Sequence, residues 1–434
     1  MIKREIFKEL VKHSDKPEIS LITGPRQAGK TTLMLLLKEH LDKQGKKTLF
    51  FNLDIENDYR FFSSQQMLIN KIELEIGKNK GYIFIDEIQR KENAGVFLKG
   101  LYDLNLPYKF IVSGSGSLQL KEKIHESLSG RKRVFSLSTV SFREFVNYKT
   151  DYRYENKLTD FFVLEKEKTE HLLNEYLSFG GYPQVVLAEE KQEKIKILEE
   201  IYQSYLLKDI SYLLGVEKKE AFSGLVKILA SQAGQLLNYT ELANTLNLSL
   251  PTVKNYLWYL ENTYILKLIS PYFRNIRKEI TKAPICYFSD LGMKNYVLGQ
   301  FDNPGSGGLL FQNFVFQLLE NNFDLKTENL KFWRTKEGAE VDFILEKGTA
   351  TVPYEIKYSH LKEAKISRSF RAFLAKYQSE QVFVVNLSLL EKTEMGITKV
   401  FFVPYFYLLT DSPINLKESE NKFADIKKKY GEEK

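Results

Sequence analysis

A single cysteine, Cys286, stands in a chain of 434 residues. That scarcity excludes an internal disulfide and any metal cluster built on several thiolates, as expected for a reducing compartment. The residue reads as a small buried hydrophobe. A dominant charge is missing too. The 63 basic residues exceed the 56 acidic ones by only 7, which permits a nucleic-acid partner without demanding one. Long apolar runs are absent: VFFVPYFYLL is about half the ~20 residues that a membrane-spanning helix needs, and it contains Pro404. The opening MIKREIFKEL breaks its apolar residues with charges, unlike the core of a signal peptide. There is no internal repeat. These absences predict a soluble cytoplasmic protein with no membrane partner.

What is present is a globular composition, 43% hydrophobic and 27% charged, in a chain long enough for about three domains. Residues 19–142 alternate β-rich runs (ISLIT, TLFFNL, YIFID, FIVSGS, VFSLS) with helical stretches such as LMLLLKEHL and FLKGLYDL. That alternation predicts an α/β fold with a parallel sheet covered by helices.

Behind the first run stands GPRQAGKTT, in which Gly24, Gly29, Lys30 and Thr31 have the spacing of a phosphate loop between a strand and a helix. Such a loop turns backbone N–H groups onto phosphate oxygens at a helix N-terminus. The candidate nucleotide-binding residues are therefore Gly24, Pro25, Arg26, Gln27, Ala28, Gly29, Lys30, Thr31 and Thr32. Lys30 is expected on the β and γ phosphates and Thr31 on magnesium. In GYIFIDEIQ, Asp86 and Glu87 end a strand, where Asp86 can orient the metal and Glu87 can polarise the attacking water. Ser113 and Ser115, at the end of KFIVSGSGS, are candidate γ-phosphate sensors. Arg131 and Arg133, in LSGRKRVF, can serve a neighbouring subunit's site, with Arg131 the leading candidate; a solvated basic loop explains Arg133 at least as well. Arg26 receives no role.

GPRQAGKTT, YIFIDEIQ, VSGSGS, SGRKRVFSLSTVSFREF and FGGYP, in that order, resemble a group of bacterial and archaeal AAA-type ATPases with a C-terminal domain of unknown function. The resemblance covers nearly the whole chain. It implies a P-loop sheet of AAA type with an extra strand between the phosphate-loop strand and the Asp86 strand. It also implies ATP and Mg2+ as cofactors, and arginine supply from another subunit of a homo-oligomer.

The expected boundaries are an ATPase core at 1–150, a helical lid at 151–235, a winged helix-turn-helix at 236–300, a restriction-endonuclease-like α/β domain at 301–412 and a charged tail at 413–434. Within TELANTLNLSLPTVKNYLWYLENT, Leu242, Ala243 and Leu246 form one apolar stripe and Val253, Tyr256, Leu257 and Leu260 another, with Thr240 as the expected cap. Ser249, Thr252, Lys254 and Asn255 point outward. With Arg274, Arg277 and Lys278 they make DNA a candidate partner, although a packing module explains the pattern equally.

In the last domain, a two-residue turn at Gly348–Thr349 would place Asp342 opposite Glu355, with Lys357 on the same face. Two carboxylates and a lysine can hold a divalent metal and a nucleophilic water. The resemblance implies an acidic residue where Gln312 stands, so an inactive nuclease fold is favoured over an active one. A protein-interaction switch is a third reading.

Overall fold

The structure, a computed structural model, describes residues 1–115, 128–205, 219–273, 279, 282–301, 307–322, 329–348 and 350–409. Backbone contacts divide the chain into two compact units. The first comprises Met1–Val140, Tyr182–Lys219 and Lys254–Ile265; the second comprises Ser141–Gly181, Glu220–Val253 and Leu266–Lys434.

The first unit is built on five strands: β1 (Ile19–Gly24), β2 (Thr48–Asn52), β3 (Gly81–Asp86), β4 (Tyr108–Ser115) and β5 (Lys132–Ser136). Their order is β2-β3-β4-β1-β5, and every pairing is parallel. The expected extra strand, β4, thus lies between the phosphate-loop strand and the Asp86 strand. All six residues of β3 are buried, as they must be in a parallel sheet with helices on both faces. Ile83 and Ile85 face one core, with Leu98 and Leu101 of the helix Ala94–Asp103. Tyr82 and Phe84 face the other, with Leu33 and Leu37 of the helix Lys30–Lys43. Alternation along one strand thereby serves two cores.

At the far end of this sheet from the phosphate loop lies a buried polar knot. His13 Nδ1 is 2.8 Å from Ser20 Oγ and 3.2 Å from Lys109 Nζ, and Lys109 Nζ also donates to the Glu18 carbonyl. Burial, then the Lys109 charge, hold the His13 pKa down at about 4, against the raising effect of Glu18. A depressed histidine favours the fold above the unfolded value near 6.5, and that contribution is lost as pH falls toward 4. The melting temperature of the parent is therefore expected to fall more steeply between pH 6.5 and 4 than that of His13→Gln. Parallel pH profiles would remove His13 as the cause.

The second unit holds a mixed sheet of six strands: β8 (Asn329–Arg334), β9 (Glu340–Lys347), β10 (Ala350–Ile356), β11 (Gln381–Asn386), β12 (Glu391–Met395) and β13 (Thr398–Pro404). Their order is β12-β13-β11-β10-β9-β8. β8, β9 and β10 form an antiparallel meander, whereas β10, β11 and β13 are parallel. β9 and β10 pair as Lys347 with Ala350 through Phe343 with Tyr354, the register expected for a turn at Gly348, whose φ is +59°.

Preceding this sheet, the helices Tyr239–Leu246 and Leu250–Asn262 are followed by an antiparallel pair, β6 (Leu266–Ile269) and β7 (Ile285–Phe288). Val253, Tyr256, Leu257 and Leu260 are buried as the pattern predicts. The cap is not Thr240. Asn238 stands one residue outside the helix and accepts from the Thr240 and Glu241 N–H groups at 3.2 Å, so Thr240 is already inside the first turn. Ser249 likewise accepts from the Thr252 N–H at 3.2 Å. Arg274, Arg277 and Lys278 lie outside the described residues, and Cys286 is buried.

The FGG portion of FGGYP is held by the helix Leu291–Leu298. Asp290 caps that helix on the Met293 N–H at 3.0 Å and accepts from Gly181 N at 2.8 Å. Asn295 donates to the carbonyls of Leu177 and Ser178 at 2.8 and 2.9 Å. A Cβ on Gly292 would lie 1.9 Å from the Phe179 carbonyl oxygen, so the approach requires glycine there.

Candidate functional site

β1 delivers the chain into the loop 24–29, and the helix Lys30–Lys43 carries it away. Gly24 (φ +156°), Gln27 (+62°) and Gly29 (+93°) bend the backbone between them. Pro25 and Ala28 are buried, while Arg26 is exposed. Lys30 is buried, and its Nζ donates to the Gly24 and Pro25 carbonyls at 3.2 and 2.8 Å. Burial lowers its pKa, opposed by the charges of Glu87 and Asp86.

Asp86, 1% exposed at the end of β3, joins the parts. Its Oδ2 accepts from Thr31 Oγ1 at 2.7 Å; its Oδ1 accepts from Ser113 Oγ and from Glu87 N, the latter at 3.1 Å. Lys30, Thr31, Asp86, Glu87 and Ser113 are thus brought together from three places in the sequence, while Thr32 follows in the first turn of the helix. Ser115 ends β4, and its side chain lies outside the described residues. Arg131 is held elsewhere: Nε bonds Asp103 Oδ1 at 2.7 Å and Nη2 bonds Oδ2 at 3.4 Å. Arg133 lies over the ring of Phe135.

Glu87 has φ +56°, a left-handed backbone that is uncommon for a glutamate and that accumulates at functional sites. Gln89, two residues on, donates from Nε2 to Glu87 Oε2. Burial raises the Glu87 pKa, against the lowering effect of that bond. Gln89 therefore aims the carboxylate. Gln89→Ala is expected to lower kcat for nucleotide hydrolysis about tenfold, the worth of one hydrogen bond to a charged group, with KM unchanged; a change confined to KM would refute the assignment.

Four residues about the loop had no motif to announce them. Arg4 donates from Nη1 to Ala28 O at 2.9 Å and from Nη2 to the carbonyls of Ser138 and Thr139 at 2.7 and 3.1 Å. Tyr264 donates to Thr23 Oγ1 at 2.9 Å, just before Gly24. Tyr205 donates to the Thr263 carbonyl at 2.5 Å and takes a hydrogen bond from the Arg26 backbone. Arg26 and Thr23 thereby connect the loop to Tyr205 and Tyr264, and Gln89 is the fourth.

Comparison with known proteins matches three stretches of the chain. Residues 16–146 match the family described as AAA domain, 170–303 a domain of unknown function, DUF8612, and 307–406 another, DUF4143. The chain is an AAA-type P-loop protein with C-terminal domains of unknown function. Similar full-length relatives are uncharacterized: one from Methanocaldococcus jannaschii is 26% identical over 92% of this chain and 87% of its own, and one from Haemophilus influenzae is 27% identical over 82% and 87%. Among solved structures, the replication initiator DnaA bound to AMPPCP and single-stranded DNA aligns with 60% of this chain and 90% of its own, at 13% identity and a TM-score of 0.26. Among the described residues of this AAA protein, no helix is long and apolar enough to cross a membrane.

In the second unit, Asp342 is hydrogen-bonded by Gln312 Nε2 and by the Ile356 N–H, both at 2.7 Å. Burial, with the Glu355 charge adding to it, pushes its pKa up to about 7. Glu355 accepts from Ser367 Oγ at 3.0 Å and pairs with Lys357 Nζ at 2.7 Å. Glu340 faces Arg334 at 3.7 Å. The reason is the ladder: Arg334 stands directly opposite Glu340 on β8. Among the described residues no group of three acidic, histidine or cysteine side chains is placed to hold a metal.

Proposed function

We propose that the chain is a magnesium-dependent ATPase whose nucleotide state controls its C-terminal domains. The observation carrying this reading is the single hydrogen-bonded network that joins Thr31, Ser113 and Glu87 through Asp86, with Lys30 buried beside it. Two oxygen donors, Thr31 Oγ1 and Asp86 Oδ2, suit a magnesium ion that takes few protein ligands and completes its shell with phosphate oxygens and water. When bound, that ion would offset phosphate charge. Lys30 would exchange the Gly24 and Pro25 carbonyls for phosphate oxygens. Glu87, aimed by Gln89 and made more basic by burial, would take the proton of the attacking water. Arg131, once released from Asp103, would be available to a neighbouring subunit.

Control is supported by Tyr264 and Tyr205. They fasten the residues after the helix Leu250–Asn262 to the phosphate loop, so a shift of Thr23 or Arg26 is felt at that helix. The nuclease-like site reads as inactive, because the Gln312 amide occupies one Asp342 oxygen and the Ile356 N–H the other. The domain would then recognise a partner rather than cut. ATPase rate measured with and without duplex DNA, across protein concentration, tests the reading. Hydrolysis rising with concentration is expected; no hydrolysis in any condition would sink it. Supercoiled DNA with manganese should stay uncut, and cutting abolished by Asp342→Ala would favour an ATP-regulated nuclease instead.

A further inference from the structure

Within the second unit lies a cavity of about 390 Å³ that takes no part in the sites above. It is bounded by the helices Leu158–Leu164 and Lys166–Phe179 and by the ends of β10, β11 and β13. Its volume falls in the range of pockets that bury a small molecule. The walls are aromatic: Phe162, Tyr358, Tyr405, Phe406 and Tyr407 all line it, with Phe162 and Phe406 stacked at 5.2 Å. Three of its polar groups, Lys166, Glu170 and Asn174, are spaced by four residues and so lie on one stripe of the longer helix, while Thr169 and Ser388 line it elsewhere. Among the described residues Glu170 has no ion-pair partner, and its charge acts on the hydroxyls of Tyr358 and Tyr405. His360 lies at the same cavity.

We infer that this cavity binds a purine nucleotide, its base between the aromatic walls, its ring N–H and amino edge on Glu170 and its phosphate on Lys166 and His360. Each feature excludes a simpler guest. Glu170, Lys166 and His360 are exposed at the cavity, so an apolar ligand would use the rings alone and leave the Glu170 carboxylate without a donor. A plain organic cation would suit the rings and Glu170, but it would meet the like charge of Lys166 one helical turn away. A flat heterocycle with donors along one edge and an anionic tail satisfies all three elements. Guanine offers Glu170 two adjacent N–H donors where adenine offers none in that arrangement, so a guanine nucleotide is favoured. The same chemistry arrives either as a free nucleotide or as a base of a single strand.

The test uses the full chain carrying Lys30→Ala, so that the phosphate loop is crippled and the outcome is separate from the ATPase reading. Calorimetric titrations with GMP, AMP and a short guanine-containing single-stranded oligonucleotide are compared. Binding of GMP more tightly than AMP, weakened about tenfold or more by Glu170→Gln and abolished by Asn174→Trp, which puts an indole at the cavity wall, is the expected result. Binding of the oligonucleotide alone, with the same two sensitivities, assigns the base to a strand. Melting curves verify that both variants fold. Absence of binding by all three probes, or binding indifferent to both substitutions, overturns the inference.

Discussion

Glu87→Gln is expected to leave ATP binding intact while turnover falls about 100- to 10,000-fold, the usual worth of a positioned base. The substitution keeps the side chain's length and removes its ability to accept a proton. Binding should persist because the loop, Lys30, Thr31 and Asp86 are untouched. Glu87 reaches Asp86 through its backbone N–H at 3.1 Å, and a side-chain change leaves that bond in place. Loss of its charge near Lys30 also leaves more of the lysine's field for phosphate. Single-turnover hydrolysis beside equilibrium binding of a fluorescent ATP analogue separates the two effects. Unchanged turnover would remove Glu87 as the base; lost binding would make it a structural residue.

Gly24→Ala is expected to be the most damaging small substitution in the loop. A Cβ at Gly24 would sit 2.0 Å from the Leu137 carbonyl oxygen, far inside contact, and φ at +156° is strained for alanine in any case. The obstacle is backbone and cannot rotate away. That carbonyl belongs to the segment just after β5; Leu137 N already donates to Thr23 O at 2.7 Å, so β1 and residue 137 are held at a fixed separation. Displacing either disturbs the carbonyls on which Lys30 rests. A destabilisation of roughly 2–4 kcal/mol and loss of nucleotide binding should appear together, read by melting temperature with and without ATP. A parent-like melting temperature with normal nucleotide-dependent stabilisation would refute the close approach. Gly45, with open space about its Cβ position, is the matched control for the clash, although its positive φ still carries a small cost.

The loop 24–32 and Asp86–Glu87 were legible as a candidate site because the chemistry proposed for them depends on local spacing. Glycines at 24 and 29, a lysine and a threonine next to them, and two carboxylates at a strand end state their task within a few residues each. β1 and β3 were legible for a related reason, since runs buried on both faces must be continuously apolar, whereas the edge strands β2 and β5 are only partly buried. The cap at Asn238 was missed by two residues because several polar side chains stood near the helix start, and only the backbone path selected the one outside it.

Sequence alone determined the AAA-type core, the loop and acidic strand end that make its candidate nucleotide site, and the apolar stripes of the helix pair that follows. Tertiary structure alone decided which distant groups complete or restrain that chemistry. Arg4 under Ala28, Tyr264 on Thr23, Arg131 on Asp103 and Gln312 on Asp342 join residues from 24 to 241 positions apart. Such pairs leave no periodicity or spacing in the chain, because side-chain partners across a fold are fixed by how its elements pack and not by their order.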